Sequence, residues 1–134
     1  MTPTSDEAER IVDDILSSND DILSAGIIDK SGNIIANKSR ESFTNRFGQV
    51  RSFEGNRYSG TLAVAALSIA NEVKDAFGKA HALITIYRDC KLMLLPMQLH
   101  DILIGLALDR SANVDNDAFP NEVERLVTRT LKPR

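Results

Sequence analysis

The chain has 134 residues, 43% of them hydrophobic and 26% charged, with only 7 Gly and 4 Pro, which is the profile of one folded domain large enough to do without disulfides or structural metal. The single Cys90 excludes an internal disulfide, and a net charge of -3 argues against general nucleic-acid binding, which needs clustered Lys and Arg to neutralise phosphates. The longest apolar run, Ile102 to Leu108, falls far short of the roughly 18 residues of a membrane span, and Met1 to Glu7 lacks the basic and apolar regions of a secretory leader, so a cytoplasmic location is expected.

Ala8, Ile11, Val12, Ile15 and Leu16 fall at helical spacing, with Thr4 and Glu7 placed as a capping box, and predict a first helix over 5–18. Two apolar segments, Ile22 to Ile28 and Asn33 to Ala36, flank Asp29-Lys30-Ser31-Gly32, whose glycine can take the positive φ of a tight turn; they predict a hairpin over 22–37. Residues 39–59 show no sustained period and are expected to form a long connection with one short helical turn near Thr44 to Gln49.

A second, long helix is predicted over 60–77. Leu62, Ala66, Ile69, Val73, Ala76 and Phe77 form its sheet-facing stripe, and Gly78 closes it. Three strands follow within 81–108. The last, from Asp101 to Leu108, is apolar at almost every position, which requires cover on both faces and so a central place in the sheet. The segment from Ala82 to Tyr87 is more mixed, as an edge strand would be. Pro120, Val123, Leu126, Val127 and Leu131 predict a third helix over 118–131, with Arg125 and Arg129 toward its negative end.

Three phrases carry a resemblance. Ala25-Gly26-Ile27-Ile28-Asp29-Lys30-Ser31-Gly32-Asn33-Ile34-Ile35, the hairpin Ile86-Tyr87-Arg88-Asp89-Cys90-Lys91-Leu92-Met93-Leu94-Leu95-Pro96, and the closing strand from His100 to Leu108 together resemble the roadblock/dynein light chain family. The likeness runs from about Ser5 to Leu131. It implies a single α/β domain of α+β type with topology αββαβββα. In this three-layer sandwich the five-stranded antiparallel sheet has the order 2-1-5-4-3, with the second helix on one face and the first and third on the other. The connection over 39–59 is longer, more basic and more aromatic than the resemblance implies.

Catalysis finds little support in the residues. The only histidines, His81 and His100, sit in no triad motif, and Cys90 lies in a turn beside Lys91, where an incidental cysteine is the plain reading. The spacing of His81, Cys90 and His100 matches no common zinc pattern, and no phosphate-binding glycine loop occurs. Neighbouring carboxylates such as Asp13-Asp14 and Asp20-Asp21 point about 100° apart on a helix rather than into one site. The expectation is a chain that is not an enzyme and takes no cofactor or metal.

Binding surfaces are the better candidates. Val64 and Leu67 lie off the sheet-facing stripe of the second helix, and Ala63 and Ala70 leave room for close approach; either a partner or the long connection covers them. The resemblance implies a homodimer, or a heterodimer with a related domain, in which strand three pairs with its copy and the second helices lie side by side. Leu83, Thr85 and Tyr87 join Ala63, Val64, Leu67 and Ala70 in that interface. A second candidate is the basic aromatic connection, where Arg40, Arg46, Arg51 and Arg57 alternate with Phe43, Phe47, Phe53 and Tyr58. Such interleaving can stack on bases, dock an acidic protein surface, or tuck its aromatics onto the sheet edge. The role implied is a scaffold or regulator whose partner is a small Ras-like GTPase, a motor or a signalling complex; the competing reading is a small-molecule-sensing domain of profilin-like or PAS-like fold.

Overall fold

The computed structural model describes residues 2–47, 65, 68, 71–97 and 100–131. Helix α1 (Ser5–Ser18) begins at a complete capping box: the Glu7 amide donates to Thr4 Oγ1 at 3.2 Å, and the Thr4 amide donates to Glu7 Oε1 at 2.9 Å. Its buried residues are Ala8, Ile11, Val12, Ile15 and Leu16, one stripe that faces the sheet. Strands β1 (Ile22–Asp29) and β2 (Ile34–Ser39) are joined by a turn in which Asp29 gathers the donors. Its carboxylate accepts from the Ser31 and Asn33 amides, both at 2.9 Å, and from Asn33 Nδ2 at 3.1 Å, while Gly32 takes φ 89°.

Helix α2 (Glu41–Phe47) follows within the expected connection, beginning three residues ahead of the short helical turn expected near Thr44 to Gln49. At seven residues, with Phe43 buried, it is too short to show a helical period. Of the predicted second helix the described part ends in α3 (Lys74–Phe77), which Gly78 closes at φ 85°. Strands β3 (Leu83–Ile86), β4 (Cys90–Pro96) and β5 (Ile102–Asp109) and helix α4 (Ala118–Leu131) complete the order.

The sheet is antiparallel throughout and runs β2-β1-β5-β4-β3. Strand β5 is interior, between β1 and β4, which is what its unbroken apolar run demands. Pro96 is the last residue of β4, where a missing amide costs the ladder least. One face is covered by α1 and α4: Ile11, Ile15, Ile27, Leu95, Ile104, Val123 and Val127 belong to a single buried cluster on that side.

The opposite face is divided among the described residues. Leu23, Phe43 and Ala107 form one small cluster there, and Ile28 with Leu103 another. Between them lie Gly26 and Gly105, directly paired across β1 and β5, with the Ile28 and Leu94 side chains reaching over Gly105 and Asn37 beside Gly26. Register irregularities sit at Leu23 in β1 and opposite Ile27 and Ile28, where Ile35 of β2 is the extra residue. The latter bulge lets Ile35 and Ala36 both pack against the α1 cluster.

Candidate functional site: the open edge at strand three

Among the described residues strand β3 pairs on one side only, with β4: Leu83 opposite Leu94, Ile84 opposite Met93, Thr85 opposite Leu92 and Ile86 opposite Lys91. Side chains directly opposite one another share a face. Met93 lies in the cluster under α1 and α4, so Ile84 and Ile86 stand on that face; Leu94 and Leu92 belong to the divided face, so Leu83 and Thr85 stand there. Ile84 and Ile86 lie beyond the cover that shields Met93 and are exposed, Ile86 by 59%. Tyr87 is also exposed, and its amide donates to the Cys90 carbonyl at 2.8 Å to close the hairpin.

A sheet edge bearing large apolar side chains is the part of a sheet that invites another strand. Among the described residues little blunts it. At the hairpin tip Arg88 pairs with Asp89 at 3.1 Å, an exposed contact worth little in itself. Lys91 is turned away from the edge, donating from Nζ to the Ala112 carbonyl at 2.8 Å and so holding the turn after β5. Beside this edge in sequence, α3 leaves Val73 and Phe77 exposed, Phe77 by 83%. The sequence pattern places both on the sheet-facing stripe. Periodicity fixes which residues share a helix face, not which of them the sheet reaches.

The remaining sequence candidates are scattered. Phe43 is buried against Leu23 and Ala107, and the Arg40 guanidinium is spent on backbone carbonyls at the end of α1. Arg46 and Phe47 fall in α2, with their side chains outside the described residues. Arg51, Phe53, Arg57 and Tyr58 lie outside the described residues, as do Ala63, Val64, Leu67 and Ala70. Leu83, Thr85 and Tyr87 come together along β3 and its end.

His81 is exposed, Cys90 is half-buried opposite Asp109, and the His100 ring is 3.4 Å from the Thr128 hydroxyl, so the three do not converge. Among the described residues no group of three or more His, Cys, Asp or Glu side chains is placed to hold a metal ion, and no helix is long and apolar enough to cross a membrane. Sequence reasoning missed Ile84 and Ile86. The period-2 alternation of Leu83-Ile84-Thr85-Ile86 was the available signal, since it puts the two isoleucines on the face away from Leu83 and Thr85.

No family model and no curated protein matches the sequence. Solved structures do. Myxococcus xanthus MglB superposes with a TM-score of 0.69 at 10% identity over 98% of this chain and 92% of that one. A roadblock/LC7 domain from Streptomyces avermitilis gives 0.65 at 12% identity over 90% and 92%, respectively.

The chain has the roadblock/LC7 fold. The gliding protein MglB from Thermus thermophilus shares it too, with a TM-score of 0.60 at 13% identity over 97% of this chain and 93% of that one. At such identities it is the roadblock architecture that is common, with strand order 2-1-5-4-3 and helices on both sides of the sheet. In this chain the β3 edge of that architecture carries the exposed Ile84, Ile86 and Tyr87.

Proposed function

We propose that the chain is a non-catalytic, dimeric adaptor or regulator that pairs through β3 with a second copy or a related domain and presents the joint surface to a protein partner. The observation that carries this reading is the β3 edge itself: four residues paired on one side only among the described residues, with Ile84, Ile86 and Tyr87 exposed along it. Edge-to-edge pairing of β3 with its twin gives a two-fold, self-complementary contact that satisfies the outward backbone groups of both strands. Leu83, Thr85 and Tyr87 belong to this interface, and Ala63, Val64, Leu67 and Ala70 are assigned to its helical part. Arg46, Phe47, Arg51, Phe53, Arg57 and Tyr58 are the basic aromatic residues left for a further partner. The roadblock resemblance makes a small Ras-like GTPase the partner class to test first.

Light-scattering chromatography tests the pairing. The parent is expected near twice its chain mass of 14.8 kDa, and Val64→Asp with Leu67→Asp, or Thr85→Pro in the edge strand, is expected to shift it to the monomer. Parent and variants all running as monomers would sink the dimer. Pull-down of small GTPases loaded with GDP or a GTP analogue tests the partner class separately, and capture in neither state removes that class while leaving the dimer standing.

A further inference from the structure

Arg40 stands between β2 and α2, and its amide, carbonyl and guanidinium each make hydrogen bonds. Its amide donates to the Leu23 carbonyl at 2.8 Å, extending the β2 ladder by one bond. Its carbonyl accepts from the Phe43 amide at 3.0 Å and the Thr44 amide at 3.2 Å, forming the first turn of α2. The guanidinium crosses to the end of α1: Nε donates to the Ile22 carbonyl at 2.6 Å, and Nη2 donates to the Leu16 carbonyl and to the Asn19 carbonyl at 3.1 Å.

Helix α1 has no basic residue in its own last turn, and Arg40 supplies a cation to the carbonyls that a helix C-terminus leaves unsatisfied. The contact is partly buried, unlike the other tie between β2 and α1, the exposed Lys38–Asp13 pair. Three residues on, Phe43 is buried on the opposite face of the sheet, against Leu23 and Ala107. Leu23, the irregular residue of β1, therefore meets the backbone of Arg40 and lies beneath the ring of Phe43.

From this geometry we infer that Arg40 and Phe43 form a clasp over the sheet, a conformational device that couples the seating of α2 on one face to the C-terminal turn of α1 on the other. One helical turn separates the two residues, so lifting α2 from Leu23 displaces the backbone that carries the guanidinium, and releasing the guanidinium loosens the turn that seats Phe43. Arg40 is a positioning residue in this device. Its Nε and Nη2 donors are given to backbone carbonyls of the fold, which sets Arg40 apart from the later arginines of the basic aromatic segment. The inference does not rest on dimerisation through β3.

Hydrogen exchange read by mass spectrometry on the full chain tests it, with peptides covering 12–19, 41–47 and 118–131; the first stops short of Leu23, which Phe43 touches directly. Phe43→Ala, which leaves Arg40 in place, is expected to speed exchange in 41–47 and also in 12–19, each by about tenfold, while α4 is unchanged. Arg40→Ala is expected to give the same pair of changes, and the milder Arg40→Lys, which keeps the charge but loses the forked reach, a smaller version of both. Exchange that rises in 41–47 alone for Phe43→Ala, or in 12–19 alone for Arg40→Ala, overturns the coupling. Equal acceleration in all three peptides overturns it as well, because it reports general loss of stability. If the alanine variants fail to fold, Arg40→Lys decides by the same criterion.

Discussion

Ile104 and Ile86 occupy the same face of one sheet, yet their truncation to alanine is expected to differ several-fold in cost. Ile104 is fully buried at the centre of β5, with Ile27 of β1 and Leu95 of β4 opposite it and both fully buried as well. No neighbour there can relax into the gap, so Ile104→Ala should fall in the upper part of the usual range, about 4 kcal/mol. Ile86 already shows more than half its surface to solvent. A fully buried side chain of its size gains about 2 to 3 kcal/mol, so the buried fraction of Ile86 is worth about 1 kcal/mol in the single chain. In urea, with a slope of about 2 kcal/mol/M, Ile104→Ala should lower the midpoint by about 2 M and Ile86→Ala by about 0.5 M. The measurement belongs at a concentration where the chain is monomeric, because pairing through β3 adds a concentration-dependent term to Ile86 alone. Equal midpoint shifts for the two variants would refute the register that puts Ile86 past the cover of α1 and α4.

Thr4→Ala removes one half of the capping box and should cost about 1 kcal/mol, read from thermal melts, with the loss concentrated in α1 exchange. The Asp29 carboxyl is pushed up by partial burial, but donors from Asn33, Ser31 and Gly32 outweigh this and hold it below its ordinary 3.8. Its contribution to stability is therefore complete above the unfolded value and is lost as pH falls through the lower folded value. An acid titration of urea midpoints should accordingly fall less steeply below pH 4 for Asp29→Ala than for the parent. Lys38→Ala is expected to leave the urea midpoint unchanged within error at physiological salt, since the Lys38–Asp13 pair is exposed on both sides; a clear loss would show that this tie matters beside Arg40.

What was legible in the sequence was whatever repeats or alternates over several residues. Ala8, Ile11, Val12, Ile15 and Leu16 mark α1 and its buried stripe, Thr4 and Glu7 mark where it begins, and Val123, Val127 and Leu131 do the same for α4. The unbroken apolar run of β5 gave its interior position, because such a strand must be covered on both faces. Helix α2 left only a short turn near Thr44 to Gln49, displaced from its start at Glu41, since seven residues are too few to make a sustained pattern. Arg40 was harder still. Its acceptors are the carbonyls of Leu16, Asn19 and Ile22, groups that every residue carries, so nothing in the side chains of a sequence announces them. The edge was half legible: the mixed character of β3 marked it as peripheral, while the exposure of Ile84 and Ile86 depends on how far α1 and α4 reach across the sheet.

The paired glycines at the middle of the divided face have an evolutionary consequence. Where Gly26 meets Gly105, no side chain links the Leu23 and Phe43 cluster to the Ile28 and Leu103 cluster among the described residues. Among the described residues, substitutions in either small cluster therefore meet mainly their own neighbours, whereas a change beneath α1 and α4 meets a single continuous cluster. The described part of that face can accordingly be revised in smaller independent steps than the core beneath α1 and α4. Sequence drift among its relatives should accumulate unequally on the two faces.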